Sequence, residues 1–200
     1  MTAQHKEHPI TSINNISLDR VDELDLKNQQ KVERLKMTDD KKRCIAGCLF
    51  VNRFLDGANI SENEYGKPIA DNGMCFNISH SGEYVLFVLS DSDIGCDIEQ
   101  IREVKTERMG KFVFSEDEMC EIKTASNKTE KFFEFWTKKE SLLKCMGVGF
   151  HRSAKSVNVI DDFYAEDRVY YFKRWRLSNY RIAICSVKNE FAETIEFVEL

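Results

Sequence analysis

The chain has 200 residues, enough for one domain or two small halves around a buried core, which excludes a disulfide-held miniprotein. Apolar residues make up 42% of it and charged residues 32%, a composition typical of globular proteins and not of disordered chains. Its 29 basic and 34 acidic residues give a net charge of −5, which argues against a nonspecific nucleic-acid surface because phosphates require a basic face. The longest apolar run, Tyr84 to Leu89, is far shorter than the roughly 20 residues of a membrane span, and the first residues lack an apolar signal segment. We therefore expect a cytoplasmic protein that binds neither nucleic acid nor membrane.

The seven cysteines form an odd set without a Cys-x-x-Cys pair and without Cys/His clustering at metal-ligand spacing. Free thiols in a reducing compartment are the expected state. His5, His8 and His151 have no partners at ligand spacing either, and we interpret them as surface residues.

The first half of the chain predicts two helices followed by three strands. Residues 1–9 are expected to form a loose tail, and a polar helix is predicted over about 22–36. Thr38, with two acidic residues after it, is typical of a helix N-cap, and this second helix is expected to end at Gly57. Strand patterns separated by turn-forming clusters then predict antiparallel hairpins at 75–79, 84–89 and 94–99.

The second half repeats this order. Ser115 and Glu118 fit a capping box that begins a short helix, and a longer helix is predicted from Thr129 to Met146, ending at Gly147. Strand patterns follow at 156–160, 168–175 and 180–187. Because helix and three strands occur twice, we predict an α+β fold of two similar halves, 1–100 and 101–200, packed side by side.

Two carboxylates fall on one face of the strand 94–99. The strand period of two sends Gly95, Asp97 and Glu99 to the same side. Carboxylate oxygens beside a small residue are suited to Mg²⁺, which takes one or two carboxylates and completes its shell with water and substrate phosphates. The alternative is a solvated acidic face on an edge strand.

A third carboxylate, Glu140, borders the apolar stripe of the long helix, with Lys144 one turn later. A metal ligand next to a phosphate-binding cation is one interpretation. The alternative is a simple helix ion pair, which contributes about 0.2–0.5 kcal/mol.

Other candidate anion-binding groups stand in loops and at helix ends. Ser79 and His80 lie where a strand meets a turn, and phosphate binding there is chemically easier than serine nucleophile chemistry, because adjacent strand residues point apart. Arg43 and the loop Gly66-Lys67-Pro68 add cationic points. An ordinary turn and solvated surface cations are the alternatives.

A basic stretch follows the acidic strand. Arg102, Lys105, Arg108 and Lys111 would form a positive patch on a helix. In a chain that is acidic as a whole, such a patch would suit an acidic partner, and a solvated helix face is the alternative.

Taken together, these segments resemble the 4′-phosphopantetheinyl transferases of the surfactin-synthetase type. The resemblance covers about residues 40–150, with the blocks in the family's order and spacing. The blocks are Phe76-Asn77-Ile78-Ser79-His80, Gly95-Cys96-Asp97-Ile98-Glu99 and 136–149, which begins Trp136-Thr137-Lys138-Lys139-Glu140 and is the most specific. Weaker similarities are Arg43, the loop 66–68, and Phe114-Ser115 with Glu118.

The resemblance implies two α+β halves related by a pseudo-twofold axis, with coenzyme A and Mg²⁺ in the cleft between them. It implies that Asp97, Glu99 and Glu140 are the metal ligands. The residues it implies for coenzyme A are Arg43, Lys67, Pro68, Ser79, His80 and Lys144. Lys31 and Arg34 are further candidates for phosphate binding, in a segment, 1–37, that matches the family poorly.

The implied reaction moves 4′-phosphopantetheine from coenzyme A to a serine of an acyl or peptidyl carrier protein and releases 3′,5′-adenosine bisphosphate. Glu140 would take the serine proton, directly or through a water, and Lys144 would stabilise the leaving phosphate. A Mg²⁺-dependent nucleotide pyrophosphohydrolase and a non-catalytic carrier-binding module are the alternatives. Because one chain holds both halves, we expect a monomer; which class of carrier is modified is not encoded in these residues.

Overall fold

The structure is a computed structural model that describes residues 6–149 and 152–200. These residues form an α+β fold with five α-helices and ten strands. The helices are α1 (Leu26–Glu33), α2 (Thr38–Phe54), α3 (Thr106–Val113), α4 (Glu116–Thr124) and α5 (Lys128–Met146). The strands are β1 (Pro9–Ser12), β2 (Ile60–Glu62), β3 (Pro68–Ala70), β4 (Cys75–Ser81), β5 (Tyr84–Ser90), β6 (Ile94–Gln100), β7 (Phe163–Ala165), β8 (Val169–Leu177), β9 (Tyr180–Ser186) and β10 (Glu196–Phe197). Within the described ranges, no helix is both long and apolar enough to cross a bilayer.

The helix boundaries in the second half follow the local caps. The side chain of Asn127 accepts a hydrogen bond from the Glu130 N–H at the start of α5, and Gly147 ends the helix in the left-handed region at a φ of 69°. Ser115 and Glu118 form the capping box that begins α4, as predicted. These ends were predictable because each depends on residues within a few positions of the helix terminus.

The first sheet has the strand order β10-β1-β5-β4, and α2 packs against one face of it. Apolar side chains of α2 meet those of β5, and the rings of Phe50 and Phe87 stack with their centroids 5.5 Å apart. β4 and β5 form the predicted antiparallel hairpin. Thr38 was predicted as the N-cap of α2, but it is the first helical residue and Met37 is the N-cap. The polar helix predicted over 22–36 is shorter in the structure: α1 covers Leu26–Glu33, and a 3₁₀ turn, Leu18–Glu23, precedes it.

The beginning of the described chain belongs to the sheet and not to a loose tail. Glu7 forms an isolated antiparallel bridge with Leu89, and β1 starts at Pro9, so the tail prediction is wrong from Glu7 onward. Main-chain pairing with the long hairpin fixes these residues. Residues 1–5 lie outside the described ranges.

His8 is buried, with 2% of its surface exposed, and its ring lies edge-on to Trp175 at 5.8 Å. The interpretation of His8 as a surface residue is therefore wrong. Burial, with a smaller effect of the Lys6 charge, lowers the pKa of His8 to about 4, so the imidazole is neutral at pH 7. His5 and His151 lie outside the described residues.

The second sheet has the strand order β6-β9-β8-β7. β6 pairs with β9 and not with β5, so the prediction of antiparallel hairpins through 94–99 is wrong for that strand. β10 in turn joins the first sheet, parallel to β1. The two sheets pack together through an apolar cluster that includes Leu86, Val88, Ile182 and Ile184. One strand from before residue 100, β6, thus lies in the second sheet, and one from after it, β10, lies in the first. The division into halves at 100/101 with a pseudo-twofold axis stays a prediction.

The segment 156–160 is not a strand, contrary to the prediction. It follows a 3₁₀ turn, Ala154–Ser156, and its main-chain groups bond to buried side chains of the helices. Lys139 donates to the Ala154 and Val157 carbonyls, and Glu118 accepts from the Val159 N–H at 2.9 Å. These contacts replace the main-chain hydrogen bonds that a strand would make with a neighbouring strand, and the third strand of this half is β7.

All seven cysteines are free, as expected.

Candidate active site

Gly95 allows α5 to lie directly on β6. A Cβ at this position would stand 2.2 Å from the Ser141 carbonyl oxygen and 2.3 Å from the Cys145 nitrogen, so a larger residue does not fit. Side chains alternate along a strand, and the face of β6 that meets α5 therefore also carries Asp97 and Glu99. The helix that carries Glu140 and Lys144 is in this way held against the strand that carries the other two carboxylates.

Asp97, Ser79 and Lys144 form the centre of the site. The Lys144 ammonium donates to Asp97 Oδ1 at 2.7 Å, to Ser79 Oγ at 3.1 Å and to the Cys96 carbonyl at 3.1 Å. Ser79 Oγ donates to the same Asp97 oxygen at 2.9 Å. The other oxygen, Oδ2, is buried and has no hydrogen-bond partner among the described residues. Asp97 therefore holds one oxygen fixed and leaves one unsatisfied.

Burial raises the pKa of Asp97 to about 6; the Lys144 charge opposes this shift, and the carboxylates of Glu140 and Glu99 add to it. Burial is the largest single effect on Lys144 and disfavours its charged form, but Asp97, Cys96 and Glu140 together outweigh it and raise the pKa of the ammonium. Asp97 and Lys144 thus form an ion pair, and with Glu99 and Glu140 the carboxylates of the site outnumber this one ammonium.

Glu99 lies further along β6 and is half-buried. Its Oε2 accepts from Ser81 Oγ at 2.9 Å and from Arg102 Nη1 at 3.1 Å. Within the described chain, Oε1 accepts no hydrogen bond. Like Asp97, Glu99 therefore has one oxygen held by the protein and one available.

Glu140 approaches from α5 and is half-buried. Burial raises its pKa; Lys144 lowers it and Glu99 raises it further. Its carboxylate makes no hydrogen bond to the described part of the chain. A carboxylate with a raised pKa and no fixed partner accepts a proton more readily than an ordinary glutamate does.

The donor chemistry of these residues fits a divalent cation. Asp97, Glu99 and Glu140 supply hard oxygen ligands, and the unsatisfied buried Oδ2 of Asp97 is the kind of atom that a cation would complete. Within residues 6–149 and 152–200, no three metal-ligating side chains converge closely enough to form a metal cluster. The fit therefore rests on ligand type and charge.

Arg43 and His80 lie beside this centre. Arg43 donates from Nε and Nη2 to the Gly82 carbonyl at 2.9 and 2.5 Å, which fixes the guanidinium at the β4–β5 turn. Partial desolvation, then the charges of Arg43 and Lys144, lower the pKa of His80. His80 is exposed, and its lowered pKa favours the neutral imidazole, so Arg43 and Lys144 supply the positive charge of the rim that an anion can approach.

Lys67 is not brought to this rim. Its ammonium donates to the Cys145 carbonyl at 2.9 Å, and Asn63 from the same loop donates to the Gly147 carbonyl at 3.0 Å. The loop with Lys67 and Pro68 thus satisfies the C-terminal end of α5. Lys31 and Arg34, at the end of α1, are exposed, and within the described part of the chain neither is hydrogen-bonded or ion-paired to the site carboxylates.

The basic stretch is only partly a patch. Arg102 is drawn to Glu99 and lies over the Phe133 ring at 5.4 Å. Arg108 and Lys111 lie on α3 and line a shallow groove with the exposed Phe112. The predicted patch is thus reduced to the α3 end, beginning at Lys105.

Sequence reasoning missed the polar row on β4, which we define as Asn77, Ser79 and Ser81. Their side-chain oxygens accept hydrogen bonds from the N–H groups of Cys96, Ile98 and Gln100 at 3.0, 3.3 and 3.0 Å. The detectable signal was the spacing of two between polar residues of one strand. Lys138 and Lys139 were also missed as structural residues, since nothing local in 136–149 shows that both are buried.

Comparisons with known proteins point to one family. The family model described as the 4'-phosphopantetheinyl transferase superfamily matches residues 93–191, which include Asp97, Glu99, Glu140 and Lys144. The transferase gsp of Aneurinibacillus migulanus is 35% identical over 133 residues, covering 62% of this chain and 56% of gsp. The transferase Sfp of Bacillus subtilis is 28% identical over 194 residues, covering 85% of each chain. The transferase AcpT of Escherichia coli O157:H7 is 31% identical over 153 residues, covering 73% of this chain and 75% of AcpT.

Proposed function

Because the chain belongs to the 4′-phosphopantetheinyl transferase superfamily, we propose that it transfers 4′-phosphopantetheine from coenzyme A to a serine of an acyl or peptidyl carrier protein, with Mg²⁺ and with release of 3′,5′-adenosine bisphosphate. One observation carries the proposal: Asp97 is buried at the contact of α5 with β6, with one oxygen fixed by Lys144 and Ser79 and the other unsatisfied. A buried, half-satisfied carboxylate beside two further carboxylates suits a metal-assisted reaction of a pyrophosphate.

Asp97, Glu99 and Glu140 would hold Mg²⁺, and the chemistry that Mg²⁺ supplies here is neutralisation of charge on the pyrophosphate. The free Asp97 Oδ2 and Glu99 Oε1 are the protein oxygens suited to it. Arg43 and His80 bind the phosphates of coenzyme A at the rim of the site. Ser79 belongs to the same proposal, and for this role its buried hydroxyl must turn away from Asp97 Oδ1. Lys67 and Pro68 belong to the same proposal, and for this role the Lys67 ammonium must leave the Cys145 carbonyl.

In the transfer, the carrier serine oxygen bonds to the β-phosphorus, and the bond from that phosphorus to the oxygen of the adenosine bisphosphate breaks. The electron pair leaves with that oxygen. Glu140 takes the serine proton, directly or through a water, because its pKa is raised and its carboxylate is unpaired. Lys144 stabilises the charge that develops on the leaving phosphate, since its ammonium already lies at the Asp97 carboxylate.

Carrier recognition is proposed at α3. Lys105, Arg108 and Lys111 present positive charge, and Phe112 is 77% exposed beside them. Carrier proteins of this chemistry present their serine on a small acidic domain, so charge complementarity favours this face. All of the candidate site residues come from one chain, and we propose an active monomer.

The test is incubation of the purified protein with Mg²⁺, coenzyme A and candidate fatty-acid, polyketide and peptide carriers, followed by intact-mass spectrometry. We expect the phosphopantetheine mass to appear on the serine of at least one carrier. Asp97→Ala and Glu140→Gln should each remove most of this addition while circular dichroism shows an intact fold. Hydrolysis of coenzyme A without a carrier would support the pyrophosphohydrolase instead. Carrier binding without any mass addition would support the non-catalytic module.

A further inference from the structure

The polar row on β4 takes the place of main-chain pairing along the free edge of β6. β6 pairs with β9 on one side only, and its N–H groups on the other side donate to Asn77, Ser79 and Ser81. Successive acceptors on β4 and successive N–H donors on β6 are both two residues apart along their strands. Three side chains of the first sheet are therefore fitted to three N–H groups of the strand that carries the carboxylates.

This arrangement determines where the two serine protons go. A hydroxyl has one proton, and an Oγ that accepts a main-chain N–H turns that proton toward its other partner. For Ser79 the partner is Asp97 Oδ1, and for Ser81 it is Glu99 Oε2, each at 2.9 Å. Each serine thus holds one carboxylate oxygen and leaves the other one available.

Arg102 also contacts Glu99 Oε2, but it is a weaker constraint than Ser81. Its side chain is 58% exposed, so water and salt screen the ion pair. Ser81 has a short side chain on a paired strand, and its Oγ is fixed by the Gln100 N–H. Glu99 therefore depends on Ser81 for its orientation.

We infer that Ser81 is a positioning residue that holds Glu99 Oε2 so that Oε1 faces the divalent cation. The inference rests on the proposed function, because it concerns how Glu99 meets Mg²⁺. Hydrogen-bond partners of metal ligands commonly change metal affinity by about 10- to 100-fold when they are removed. Ser81 should act in this way while leaving the binding of coenzyme A phosphates to Ser79, His80 and Arg43.

The experiment compares Ser81→Ala, Ser81→Thr and the control Ser90→Ala, which removes a buried hydroxyl of β5 remote from the carboxylates. Mn²⁺ binding to each protein is measured by electron paramagnetic resonance of the free ion, and transfer is followed against Mg²⁺ and coenzyme A concentration. In Ser81→Ala we expect about 10- to 100-fold weaker Mn²⁺ binding, a matching rise in the Mg²⁺ requirement, and a KM for coenzyme A within about threefold of the parent. Ser81→Thr should restore the metal affinity, and Ser90→Ala should not change it.

Unchanged Mn²⁺ affinity in a folded Ser81→Ala protein would overturn the inference. So would equal loss in Ser81→Thr, or a loss confined to the KM for coenzyme A. If Ser81→Ala does not fold, Ser81→Cys keeps a side chain of similar size with a weak donor, and its affinity must then lie below that of Ser81→Thr. Failure of the unmodified protein to transfer phosphopantetheine would instead refute the proposed function, which separates the two outcomes.

Discussion

Lys139 lies within the most specific block of the sequence, yet its contacts predict a purely structural role. Its ammonium forms an ion pair with Glu118 at 2.8 Å, and the two side chains are 1% and 0% exposed. It also donates to two carbonyls of the 154–157 turn and lies over the Phe114 ring. Glu118 accepts from the Ser115 and Val159 N–H groups. Lys139→Met should therefore leave a buried carboxylate without its cation.

Removing one partner of a buried ion pair costs about 3–5 kcal/mol of unfolding free energy. For a chain of this size, about 2–4 °C of melting temperature corresponds to each kcal/mol, so a fall of roughly 6–20 °C is expected. The double variant Lys139→Met with Glu118→Gln should recover part of this loss, since no buried charge is then unpaired. The matched control is Lys131→Met on the same helix, whose partly exposed ion pair with Glu134 should contribute no more than about 1 kcal/mol.

The assay is urea unfolding followed by circular dichroism, together with kcat/KM per folded molecule at a temperature where all variants are folded. Lys139→Met should lose stability and keep its transfer rate within about threefold of the parent, because Lys139 contacts α4 and the 154–157 turn and none of the site carboxylates. A loss of stability no larger than that of Lys131→Met would refute the reasoning from burial. A rate loss above tenfold with normal stability would refute the structural role.

Three further predictions follow from other parts of the molecule. The pKa of His8 is about 4 in the folded chain and 6.5 in the unfolded chain, so the unfolded chain binds more protons between these pH values. The free energy of unfolding should therefore fall by about 3 kcal/mol between pH 6.5 and pH 4. In urea titrations over a pH series, His8→Phe should reduce this fall. Arg108→Glu with Lys111→Glu should raise the KM for the carrier and reduce its salt dependence without changing the KM for coenzyme A, and equal change in both would assign these residues to the nucleotide site. A mixture of Asp97→Ala and Glu140→Gln proteins, after subunit exchange, should stay inactive and sediment as monomers; regained activity would show a site shared between chains.

Features set by nearby residues were predictable from the sequence, and features set by distant ones were not. The ends of α5 follow from Asn127 and Gly147, and the shared face of Gly95, Asp97 and Glu99 follows from the period of a strand. By contrast, the pairing of β6 with β9 joins residues 80 to 92 positions apart, and no local pattern distinguishes it from a hairpin with β5.

The same distinction applies to single residues of the site and core. His8 is buried because Trp175 lies against it, and the segment 156–160 is irregular because Lys139 and Glu118 bond its main chain. Lys67 has the sequence of a ligand loop, but its ammonium binds the end of α5. Each outcome depends on a partner that only the folded chain brings near.

The pairing of β6 with β9 also has a consequence for folding during synthesis, because β6 is made well before its partner. When the ribosome has made the first hundred residues, the strand with Asp97 and Glu99 exists, but its main-chain partner, Tyr180–Ser186, does not. β1 likewise lacks its outer partner until Glu196–Phe197 has been made. Strand edges that stay open during synthesis are sites where nascent chains misassociate. β6 should therefore be among the last parts to become protected, and a chain that stops before β9 should present its open edge to other molecules.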